Sequence, residues 1–152
     1  MVLLPRIGWS AEAVDRADSP IDRQLRVIEA ATGPSERRRL ASELVDLCAF
    51  PPGNGALRLN AAQMGRLTRL LEDPEPWIRA NAAACLGFNG PAAAQALPAL
   101  REAQRRTSIV DYPGFPGLPE ASQPRELIGT AIRRIEGAIP VRNTVGASSP
   151  GT

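Results

Sequence analysis

The amino-acid sequence predicts an all-α chain whose six helices form three consecutive pairs, stacked as a short solenoid. Six segments repeat apolar residues at intervals of three and four, and no run alternates in the manner of a strand. The second, fourth and sixth segments share one spaced pattern: Leu40/Leu44/Val45/Cys48, Ile78/Ala82/Ala83/Leu86 and Leu127/Ala131/Ile132/Ile135. From Leu40 to Ile78 is 38 residues and from Ile78 to Leu127 is 49, the excess falling in an enlarged loop at 107–123. A period of about forty with two helices per unit is that of an α-solenoid.

Each element has its own signals. Residues 1–18 show no sustained period and read as an extended lead-in to a domain spanning 19–137. Ser19-Pro20 opens the first helix, with a cap and a first-turn proline, and Ile21, Leu25 and Ile28 carry its stripe to about Thr32. The second runs from about Pro34 to Ala49 and stops before the loop Pro51-Pro52-Gly53-Asn54-Gly55. The third starts at Asn60, with Gln63 in the reciprocal capping-box position and Leu59 and Met64 placed as a hydrophobic staple. Asp73 is the expected cap of the fourth helix, with Pro74 and Pro76 in its first turn and its end near Phe88. Gly90-Pro91 opens the fifth, which is expected to kink at Pro98 because proline cannot donate to Ala94. Pro124 starts the sixth and Gly137 ends it; 138–152, rich in Gly, Ser and Pro, reads as a flexible tail.

Composition removes many chemistries. The chain has 152 residues and no His, and all 18 cationic side chains are Arg. Histidine acid/base catalysis, Ser–His and Cys–His pairs, Schiff-base lysines and the P-loop lysine are therefore absent. Two cysteines cannot supply a zinc site, so no metal and no cofactor is expected. A net charge of +2, with acidic residues interspersed throughout, disfavours nucleic acid as a partner. Residues 80–100 are uncharged over 21 positions, but their Asn, Gln, Pro and Gly content argues for a helical turn in water and no membrane span. The opening apolar run is interrupted by Pro5 and Arg6, which argues for a cytoplasmic protein with free thiols.

Residues 71–100 resemble a HEAT repeat. The resemblance is carried by the Asp73-Pro74 turn, the Ile78-Arg79 pair and the Ala-rich helix ending Leu86-Gly87. The Pro98-Ala99-Leu100 opening of the next helix adds to it. It covers about 30 residues well; units 20–49 and 97–137 fit by helix length and stripe, the first having Gly33-Pro34 in place of Asp-Pro and the last Ile128 in place of the Arg. It implies a right-handed superhelix of about three such repeats, and a structural role for Arg79 in reaching an acid or carbonyl of an adjacent unit. The fourth helix, apolar nearly all round, suits the middle of a stack whose terminal repeats have polar outer faces.

No constellation proposes a reaction, and the chain is expected to be a non-catalytic module that binds another protein. Trp77, Asn81, Ala84 and Phe88 form a second stripe on the fourth helix, either a partner-binding surface or packing between repeats. The 107–123 loop carries Tyr112 and Phe115, read first as a cap covering Leu100 and Ile132 and alternatively as a binding element. Arg37-Arg38-Arg39, Arg105-Arg106 and Arg133-Arg134 read as solvated or helix-terminal charges. If they converged they would suit a nucleic-acid-binding protein, similar to HEAT-like DNA glycosylases. Cys48 and Cys85, on apolar faces, are expected to be buried and reduced. An accessible acidic thiol would instead suit a lyase acting on a chromophore protein, similar to HEAT-like bilin lyases.

Overall fold

The computed structural model describes residues 19–107 and 123–140. Proline, which fits a first helical turn and no later one, marks the start of most elements. The α-helices are α1 (Pro20–Ala30), α2 (Pro34–Ala49), α3 (Ala61–Leu70), α4 (Pro76–Phe88), α5 (Leu97–Arg106) and α6 (Pro124–Ile135). Among the described residues there is no strand.

Local chemistry explains the ends. Ser19 Oγ accepts the Asp22 N–H at 3.1 Å to cap α1. The α3 capping box is complete: Asn60 Oδ1 accepts the Gln63 N–H at 2.8 Å, and Gln63 Oε1 accepts the Asn60 N–H at 3.0 Å. Gly137, at φ +76°, follows α6 in the left-handed region that glycine tolerates. Three expectations are corrected. α1 ends at Ala30, just short of Thr32. Glu75 rather than Asp73 caps α4, its carboxylate accepting the Ile78 N–H at 3.2 Å. Asp73 is already engaged, with Oδ1 on the Glu75 N–H and Oδ2 on Arg37. Pro98 does not kink a continuous helix either. A 3₁₀ segment, Gly90–Ala96, precedes α5, and the proline sits in the first turn of α5, where no donor is needed.

The helices meet in sequence order. α1 lies on α2, α3 on α4 and α5 on α6, while α4 packs most extensively on α6 and next on α2. α4 is thus the centre of the molecule, and Ile78, Ala80, Ala83, Cys85 and Leu86 are fully buried along it. Its small residues permit close approach: a Cβ on Gly87 would stand 2.9 Å from the Ala131 Cα of α6.

The α2–α4 seam overturns the expectation of free thiols. Cys48 and Cys85 are joined in a disulfide, with Cα atoms 5.4 Å apart, and no free cysteine remains. Both are buried, as their apolar stripes predict. The stripe describes each helix alone; the bond arises because α2 and α4 lie side by side in the same direction, which also brings Arg37 to Asp73 at 2.6 Å.

Arg79 is the one charge within α4, and it is 5% exposed. Its Nε donates to Thr107 Oγ1 at 3.0 Å, and its Nη1 to the carbonyls of Asp73 and Pro74 at 2.8 and 3.1 Å. Thr107 Oγ1 in turn donates a hydrogen bond to the Ala103 carbonyl at 2.7 Å. A buried cation is tolerable when its donors are met in this way.

Candidate functional site

The stripe Trp77, Asn81, Ala84 and Phe88 is the half-buried side of α4; every other position from Ile78 to Gly87 is buried. Spacings of four, three and four keep these residues on one line through three helical turns, about 16 Å from end to end. The Cys48–Cys85 seam with α2 bounds it on one side and the Gly87–Ala131 seam with α6 on the other.

Matching lines flank it. On α2, Arg38, Ser42, Val45 and Ala49 repeat the spacing 39 residues earlier, and all but the exposed Ser42 are half-buried. At the start of α6 and along it, Gln123, Leu127, Thr130 and Arg134 repeat it again, all half-buried. Gln24 of α1 donates to the Leu40 carbonyl at 2.9 Å and to Glu43 at 3.2 Å, so α1 occupies the opposite side of α2 from the Arg38 line. Likewise Arg101 of α5 pairs with Glu136, leaving the Arg134 side of α6 clear of α5. The Arg134 guanidinium lies 4.7 Å from the centre of the Phe88 ring, which joins the α6 line to the α4 line. Burial pulls the Arg134 guanidinium below its ordinary pKa, because the ring and helix displace the water that favours its charge.

The sequence singles out the α4 line but not its two companions. Their signal is the same four-three-four spacing, masked because those lines carry Arg38 and Ala49, and Gln123 and Arg134, where α4 has aromatics. Tyr112 and Phe115 lie outside the described residues, as does the expected capping contact of their loop. Three of the seven clustered arginines are paired with acids: Arg37 with Asp73, Arg39 with Glu43 and Arg105 with Glu102. Among the described residues two large apolar side chains lie exposed, Phe50 at 66% and Val27 at 45%. Val27 lines an open groove of about 590 Å³ between α1 and α2, with Ala31, Thr32, Glu36 and Leu40.

Among the described residues no three His, Cys, Asp or Glu side chains gather in a way that could hold a metal ion. No described helix is long and apolar enough to cross a membrane. No family model, curated protein or solved structure matches the chain. The functional reading therefore rests on the residues themselves.

Proposed function

We propose that the chain is a non-catalytic protein-interaction module, built as a short solenoid of HEAT-like helix pairs. The observation that carries this reading is the face formed by the α4 line between its α2 and α6 companions. A middle helix otherwise buried keeps one side half-open, and that side bears Trp77 and Phe88, residue types that anchor interfaces. The sequence-ordered packing of the pairs supports the solenoid reading, since each unit of a solenoid contacts chiefly its neighbours. The lyase-like alternative needs a free thiol, and Cys48 and Cys85 are bonded to each other in the core.

Affinity capture followed by mass spectrometry tests the reading, with native chain and Ala84→Glu as parallel baits. Ala84 is half-buried in the middle of the face, so a larger charged side chain obstructs docking without entering the core. At least one protein should be retained by the native bait and lost with the variant, at an unchanged thermal midpoint. Equal retention by both baits would overturn the proposal.

A further inference from the structure

We infer that the face along α2, α4 and α6 takes a peptide segment that places carboxylates at its two flanks and an apolar stretch across its middle. The inference rests on the interaction reading above and adds the chemistry of the partner. Of the twelve positions in the three lines, two are Arg, none is acidic, and the centre is the α4 line, apolar or aromatic at Trp77, Ala84 and Phe88 and polar at Asn81. The nearest acids on the flanking helices, Asp46 and Glu126, stand on other helical positions.

A second, independent observation falls on the same two arginines. Among the described residues, the buried side-chain nitrogens and oxygens without a hydrogen-bond partner are the Nε of Arg38 and the Nε of Arg134. One lies on the α2 line and the other on the α6 line, on opposite sides of the Trp77–Phe88 line. These Nε–H groups are shielded from solvent and costly to leave unbonded, while the outer Nη groups of each guanidinium remain for a partner's carboxylate to engage. Arg134 is already held in place by Phe88, so less freedom is lost when it binds. Paired arginines elsewhere, such as Arg66 with Glu29 and Arg37 with Asp73, show the alternative fate, a guanidinium engaged by an acid of the chain. Among the described residues neither arginine on the face is paired with an acid, and carboxylates of a partner supply the complementary charge.

Selection of a phage-displayed library of random linear peptides on the full chain tests this, with Arg38→Gln, Arg134→Gln, and Arg105→Gln as a control remote from the face. Selected peptides should be enriched in Asp and Glu flanking apolar residues, and their binding should weaken as salt rises. Arg38→Gln and Arg134→Gln should each lower affinity about tenfold, with Arg105→Gln unchanged and all thermal midpoints close to native. Peptides without acidic enrichment, bound equally by native and both face variants, would overturn the inference and leave the interaction reading standing. Enrichment of no peptide at all would overturn both. Binding of an oligo-dT strand as tight as the best peptide, lost in the face variants, would overturn the inference in favour of nucleic acid.

Discussion

The two layers of the molecule are joined in different ways. Along α2, α4 and α6 the contacts are close and largely apolar, with a buried disulfide at one seam and a glycine against a helix backbone at the other. Between α1 and α3 the join is polar. Arg66 grips Glu29 through two hydrogen bonds of 2.9 and 2.8 Å and reaches Asp22 at 3.6 Å. Gln63 Nε2 donates to Ser19 Oγ and Asp22 Oδ2 at 3.1 and 3.0 Å. Close apolar packing is sensitive to a single methyl group, whereas partly exposed ion pairs contribute little and tolerate change. The even-numbered helices thus form the closely packed spine, and the proposed interaction face lies on that spine rather than on the polar-joined layer.

That contrast can be broken at three strengths. The largest expected effect is on the disulfide, which closes a separation of 37 residues. Loop-closure entropy gives it a worth of about 3–4 kcal/mol, so urea unfolding with reductant should shift to a clearly lower midpoint. Coincident curves, with two thiols titrating in the native protein, would remove the covalent tie from the spine. The next test compares two Gly→Ala substitutions. At Gly87 the new methyl meets the Ala131 backbone, and a loss of about 1–3 kcal/mol is expected. At Gly65 on α3 nothing lies within 4 Å, so the same change should stabilise by about 0.5–1 kcal/mol. Equal signs in thermal melts would show that the two layers are not packed differently. The smallest effect concerns pH. The hydrogen bond from Arg66 holds the Glu29 carboxyl below its ordinary value, with burial opposing. Its contribution is therefore present above the unfolded pKa of about 4.3 and lost as pH falls through the lower folded value. Glu29 is largely exposed, so the amplitude should stay within about 1 kcal/mol. Stability of native chain and Arg66→Gln, followed by denaturant titration down to about pH 3, should converge on acidification.

Helix starts were the most legible part of the sequence, because Pro20, Pro34, Asn60 with Gln63, and Pro124 act through bonds a few residues long. Asp73 misled because it has two oxygens and a distant claimant: Arg37 takes one, and the cap passes to Glu75. Pro98 misled because a 3₁₀ turn before it removes the donor requirement that a continuous helix would impose. The cysteines misled for a reason of scale. Spacing within each helix placed both in the core, but whether two core residues touch depends on how helices 37 residues apart are laid together. The same limit hid the stacking of Arg134 on Phe88, a contact across 46 residues that neither helix announces alone.

The sequence-ordered packing of the helices has a kinetic side. Each helix touches chiefly the next along the chain or the next but one, so the chain closes few long loops before contacts reward it. Of the first and last pairs, however, it is α2 and α6 that pack on α4, while α1 and α5 lie on α2 and α6 in turn. Until α4 is helical, α2 and α6 lack the surface they share, so the middle helix is expected to order early and the stacking of the two ends to follow it.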